Sequence, residues 1–196
     1  MRAASLFALA LASTAFACAA QPAPCPSVAP AAEPEPCPSV DPDPAATAIA
    51  APCDEDIHRA FDFWLGHWRV ESADGSLAGH NHIERAHSGC AVVEHWASAR
   101  GNSGTSTNYY DPAKAAWVQN WIDASGSVIQ LEGGLDAGGS MVLEGRYVVP
   151  DGTVAMMRGT WTLLEDGRVR QLFETSTDEG ATWKPWFEGF YIREAD

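Results

Sequence analysis

The sequence predicts an all-β domain: an antiparallel meander of about ten short strands closed into a barrel and preceded by one short helix. Three observations carry that expectation. Apolar residues alternate with period two from Gly66 onward, which sets successive side chains on opposite faces of a sheet. Turn signals punctuate the alternation, and the pairs Asp74-Gly75, Ser88-Gly89, Ser125-Gly126, Asp151-Gly152 and Asp166-Gly167 suit tight hairpins. A meander of this length has two open edges and many apolar inward positions; closing it removes the edges and encloses the interior.

The helix comes first. Asp54 is placed to cap a helix running through about residue 65, with Glu55 and Asp56 in its first turn and Ile57, Phe61, Trp64 and Leu65 on one apolar face, ended by Gly66. The strands are then expected near 67–73, 79–87, 90–98, 105–110, 115–123, 127–133, 139–149, 153–163, 168–176 and 182–193. Gly101-Asn102-Ser103-Gly104 reads as a flexible loop at the barrel's rim.

Ahead of the domain the composition changes. Met1-Arg2 followed by an Ala/Leu/Phe run to about Ala20 is a signal peptide, with small residues for cleavage after Ala17 or Ala19, so residues 1–19 are expected to be removed. Residues 20–53 are rich in Pro and Ala and contain a short duplication, Pro24-Cys25-Pro26-Ser27-Val28 and Pro36-Cys37-Pro38-Ser39-Val40; proline removes backbone donors and blocks helix, so this is an extended linker. The barrel domain is 54–196. Export implies a periplasmic or secreted location. Lipidation of Cys18 is a second reading of the leader, in which that cysteine tethers the protein to a membrane. No other segment is long and apolar enough to span a bilayer.

Five cysteines in an exported chain point to disulfides. Cys53 and Cys90 flank the first segments of the domain and are the expected pair, leaving Cys25 and Cys37 to bond each other or another chain. Charge narrows the partners further. The chain carries a net charge of −14, and only one basic residue, Arg2, and four acidic ones, Glu33, Glu35, Asp41 and Asp43, lie before the domain. A domain so rich in carboxylates lacks the basic stripe that nucleic acid requires, so nucleic acid is not an expected partner.

Two local patterns go beyond generic β structure. Gly66-His67-Trp68, at the junction of helix and first strand, resembles the Gly-x-Trp signature of lipocalins. The wider block Phe61-Asp62-Phe63-Trp64-Leu65-Gly66-His67-Trp68 resembles the opening of a bacterial domain-of-unknown-function family with a lipocalin-like (calycin) barrel. Ser88-Gly89-Cys90 with Glu94-His95-Trp96, Trp117-Val118-Gln119-Asn120-Trp121 and Phe190-Tyr191-Ile192-Arg193 extend the resemblance over nearly all of 54–196. It implies that Trp68 packs at the closed base of the barrel beneath Arg193, by a cation–π contact. It also implies an interior that holds a small hydrophobic molecule, and no catalytic residue. Separately, Ser176-Thr177-Asp178-Glu179-Gly180-Ala181-Thr182-Trp183 is similar to the Asp-box hairpin of sialidases and other propellers; a single copy makes it a structural turn.

The candidate ligand-binding residues are Glu94, Trp96, Trp117, Gln119, Trp121, Arg158 and Glu174. Glu94 shares a strand face with Trp96, and Gln119 lies between Trp117 and Trp121 on one face; polar groups among aromatics are how small-molecule pockets are composed. Arg158 and Glu174 are expected to add a charge pair to that interior, because an unpaired buried charge is costly. His80 and His82 share a face with Glu84 near His87, a passable geometry for a transition metal, but they follow a turn signal and read as exposed; no metal or cofactor is expected. Gly-x-Ser-x-Gly, a phosphate loop and a dinucleotide fingerprint are absent. The expected function is to bind a small hydrophobic or amphipathic molecule in a Trp-lined barrel. The alternatives are an enzyme on the same barrel, using Glu94, Arg158 or His95, and an envelope structural protein working through contacts with other proteins.

Overall fold

The computed structural model describes residues 53–148 and 152–195. The leader, the linker up to residue 52, Cys18, Cys25, Cys37 and Asp151 lie outside the described residues.

Ten strands form a closed antiparallel barrel: β1 (Gly66–Ser72), β2 (Leu77–Ala86), β3 (Ala91–Ser98), β4 (Ser103–Asp111), β5 (Ala116–Asp123), β6 (Val128–Leu135), β7 (Met141–Val148), β8 (Val154–Leu163), β9 (Val169–Ser176) and β10 (Lys184–Arg193). Each pairs with its neighbours in sequence, and β1 closes on β10 through Trp68↔Arg193 to Ser72↔Gly189. The expected meander is therefore what the chain forms, with period-two alternation deciding which residues enter the lumen. The register of β10 shifts between Pro185 and Phe187, a bulge at the proline that cannot donate to the ladder.

Successive strands run in opposite directions, so the connections 87–90, 112–115, 136–140 and 164–168 gather at one end, the base, and 73–76, 99–102, 124–127 and 177–183 at the other, the mouth. Aspartates hold several of these turns. Asp123 Oδ1 accepts from the Ser125 and Ser127 amides, and Asp136 Oδ1 from those of Gly138 and Ser140. The Asp-box segment is such a turn: the Thr182 amide and hydroxyl donate to the Asp178 carboxylate at 2.8 and 2.6 Å.

The single helix expected through residue 65 is instead two short pieces. A four-residue α1 (Asp56–Arg59) is followed by a 3-10 turn, Asp62–Trp64. Glu55 stands at the N-cap with no side-chain capping bond, and Asp54 pairs with Arg59. Ile57 is 41% exposed, so the apolar face begins only at Phe61. The break at Ala60–Phe61 allows both Phe61 and Trp64 to drop into the base, which one straight helix on the rim would not achieve. Gly66 does not end a helix; it opens β1 at φ +131, and a side chain on it would collide with the Arg193 guanidinium.

The base is packed solid. Phe61, Trp64, Trp68 and Trp161 are fully buried. Phe61 stacks on Trp64 at 4.9 Å and meets Trp117 and Trp161 edge-on at 5.7 and 5.3 Å. The Trp68 indole N–H donates to the Trp64 carbonyl at 2.8 Å, and that of Trp117 to the Ile57 carbonyl at 3.1 Å. Arg193 lies 4.2 Å from the Trp68 ring centroid and donates to the Leu65 carbonyl at 3.0 Å, the cation–π lid that the resemblance implies. Arg85 pairs with Asp62, tying β2 to the 3-10 turn. The Cys53–Cys90 disulfide, 37 residues apart in sequence, fastens the start of the domain to the β2–β3 hairpin. A loop of that length is worth about 3–4 kcal/mol in chain entropy. The bond fits a location outside the reducing cytoplasm.

Candidate functional site

The mouth half of the barrel is hollow. It encloses a cavity of about 1190 Å³, at or above the roughly 300–1,000 Å³ usual for small-molecule sites. Its walls carry Trp96 from β3, Trp121 from β5, Tyr147 from β7, Phe173 from β9 and Trp186 and Phe187 from β10; Glu94, Gln119, Gln171 and Tyr191 form the floor.

Glycines explain why so many rings leave room. A Cβ on Gly79 would meet the Trp96 ring at 2.7 Å and the Ala97 carbonyl oxygen, one on Gly104 the Trp121 ring, one on Gly159 both Trp161 and Phe173, and one on Gly189 the Phe187 ring. Trp96 and Trp121 thus pack against a bare patch of the neighbouring strand, and Phe187 against one on its own strand, in space that a side chain would otherwise fill. Gly104 belongs to β4 and so to the wall, as does Ser103, not to the rim loop expected there.

Below the rings runs a buried hydrogen-bonded belt. Gln119 Nε2 donates to Asn108 Oδ1 at 2.8 Å, Asn108 Nδ2 to Ser106 Oγ at 2.9 Å, and Ser106 Oγ to Glu94 Oε2 at 2.6 Å. From the other side Asn81 Nδ2 donates to Glu94 Oε1 at 2.7 Å and to Tyr191 Oη at 3.2 Å, and Tyr191 donates to Gln171 Oε1 at 2.7 Å. Six strands contribute to this ring of side chains, which sits directly on the aromatic base. Glu94 is 4% exposed. Burial pushes its carboxyl above the ordinary value, against the opposing hydrogen bonds from Ser106 and Asn81. Burial, with Glu94 nearby, likewise raises the Tyr191 hydroxyl well above its usual range.

Of the residues singled out from sequence, Glu94, Trp96, Gln119 and Trp121 converge on the cavity. Trp117 does not: it points inward but one layer lower, 2% exposed, as part of the packed base. Arg158 and Glu174 do pair, at 2.7 Å, but on the outer surface, because Met157 and Phe173 take the lumen positions and their neighbours must face out. There the Arg158 guanidinium lies 4.2 Å from the Trp183 ring centroid and braces the Asp178 turn. Asn81, Ser106, Asn108, Gln171, Tyr191 and Phe173 were not legible as site residues. Their one signal is shared parity with inward neighbours: Asn81 with Ile83, and Gln171 with Val169.

His67, His80, His82 and His95 face outward. His67, His82 and His95 are cross-strand partners on β1, β2 and β3, stacked with ring centroids 4.0 and 5.8 Å apart, and His95 meets Glu84 at 3.1 Å. Faces stacked in this way do not converge their nitrogens on a point. Among the described residues no group of three or more His, Cys, Asp or Glu is arranged to hold a metal ion.

No protein-family model matches the chain, and no curated protein matches it.

Proposed function

We propose that this is an exported small-molecule-binding protein, which holds an apolar or amphipathic guest in the mouth half of its barrel. One observation carries the reading: a cavity of about 1190 Å³ bounded by six aromatic side chains and floored by hydrogen-bonding groups. An apolar body gains by leaving water against such walls, while the floor offers direction to a polar end. The resemblance to the bacterial family with a lipocalin-like barrel supports the same reading, as does the contact of Arg193 with Trp68. Export, to the periplasm or beyond, is supported by the leader-like residues 1–19 and by the disulfide.

Trp96, Trp121 and Trp186 make the test direct. Titration of the purified domain with fatty acids, polycyclic aromatics and porphyrins is expected to change tryptophan emission saturably for at least one class. Flat titrations throughout would overturn the proposal.

A further inference from the structure

We propose, resting on the binding reading above, that the guest is an organic cation: a protonated amine on an apolar body, its ammonium group set down on Glu94 between aromatic faces.

The belt fixes the polarity of the floor. Ser106, Asn81 and Tyr191 spend their donors inside the belt, two of them on Glu94, and Asn108 spends its own on Ser106 and on the Val92 carbonyl. What remains is mostly acceptor. Asn81 Oδ1 is buried without a partner, each Glu94 oxygen receives one bond where it has room for two, and Gln119 binds through its nitrogen alone, leaving Oε1 over. Gln171 Nε2 and the second N–H of Gln119 are the donors left beside them, since Gln171 is held through its oxygen and Gln119 Nε2 makes one bond. A floor richer in acceptors than donors matches an ammonium group, which brings three N–H donors and no acceptor.

Charge points the same way. Glu94 is the one ionisable carboxylate on the floor, and the groups packed around it are neutral: Asn81 on β2, Ser106 on β4 and Tyr191 on β10. His95, on the same strand, projects to the outer face against Glu84. Nearer the mouth stand Asp123, engaged with its own turn, and Arg146, already paired with Glu179. No cation therefore answers Glu94 from within the barrel among the described residues. A buried carboxylate without a counter-charge is costly, and a guest ammonium removes that cost. The walls add to it, because Trp96, Trp121 and Phe173 line the cavity with aromatic rings, the groups whose faces attract ammonium. An anionic head such as a fatty-acid carboxylate meets repulsion at the same place.

Three matched probes separate this from the broader reading: naphthylethylamine, naphthylethanol and naphthylacetate, titrated calorimetrically at neutral pH and in high salt. Salt screens the general field of an acidic protein but not a contact inside the barrel. The amine is expected to bind about tenfold more tightly than the alcohol, with the carboxylate weakest, and to keep that rank in high salt. In Glu94→Gln the amine is expected to lose its advantage over the alcohol. Equal binding of amine and carboxylate by the wild type would overturn the cation assignment and leave the small-molecule reading standing. No binding of any probe, with none from the wider fluorescence panel, would overturn both. Should Glu94→Gln fail to fold, the wild-type ranking decides alone.

Discussion

The base and the mouth of this barrel are built from the same ten strands and draw on the same residue types, yet one is solid and the other hollow. At the base, Phe61 and Trp64 come from outside the sheet and fill the lumen against Trp68, Trp117 and Trp161. At the mouth, Trp96, Trp121 and Phe187 come from the wall itself and lie back over Gly79, Gly104 and Gly189. Counting aromatics therefore says little about whether a barrel is full. What decides is whether a segment from outside the sheet plugs the end, since Trp161 at the base also packs on a glycine, Gly159.

The largest effects should come from breaking the solid half. Trp161→Ala removes a fully buried ring that touches Phe61, Trp64 and Phe173, and denaturant unfolding is expected to show a loss of about 3–5 kcal/mol. Trp121→Ala, from a half-buried wall position, is expected to cost about 1–2 kcal/mol. Equal losses at the two sites would mean that the mouth is as well packed as the base.

Next comes Gly104→Ala, which sharpens the comparison because it adds one methyl and removes nothing. The new Cβ falls against the Trp121 ring and drives it into the lumen. Guest affinity is expected to fall about tenfold or more, while the fold survives. Unchanged affinity in a folded variant would show that the ring has another place to go.

Titration offers a finer division. Glu94 has a raised carboxyl in the folded protein, above an ordinary value of 4.5. Its contribution to stability is fully present below that value and is lost as pH rises through the raised one. Asp178 in the mouth turn behaves oppositely: its hydrogen bonds to Thr182 and Ser176 hold it at about 2, below 3.8. Its contribution is present above 3.8 and is lost as pH falls through about 2. Thermal melts across pH should show Glu94→Gln flattening the upper limb and Asp178→Asn the lower limb, each leaving the other intact.

The smallest effect belongs to the pair that sequence reasoning placed inside. Arg158→Ala removes an outer-surface contact with Glu174 and Trp183; it is expected to cost no more than about 1 kcal/mol and to leave guest affinity unchanged.

How much of this could be read in advance follows the physics of alternation. Strand bounds lie within two residues of expectation throughout, because Asp-Gly and Ser-Gly turns mark the hairpins independently of packing. The Trp68–Arg193 contact and the Cys53–Cys90 bond were legible because each rests on a distinctive pattern at a fixed place. Inward parity on β8 and β9 was not: Met156 and Met157, like Leu172 and Phe173, are apolar on both faces, so nothing local says that Arg158 and Glu174 point out. The belt was hidden for the converse reason. Asn81, Ser106 and Asn108 look solvent-facing one strand at a time, and only closure of the cylinder brings them to Glu94. The glycine–ring pairs at Gly79, Gly104 and Gly189 escape sequence analysis in the same way, since two of them cross between strands.

Quenching by a brominated aliphatic alcohol distinguishes a mouth half that admits a guest from a base half that does not. Bromine quenches an indole only at close contact, so the guest reports which tryptophans it reaches. The expected result is saturable quenching that disappears in a Trp96→Phe, Trp121→Phe, Trp186→Phe triple variant, with the emission of Trp64, Trp68 and Trp161 unaffected. Quenching that does not saturate, or that persists undiminished in a folded triple variant, would contradict the account.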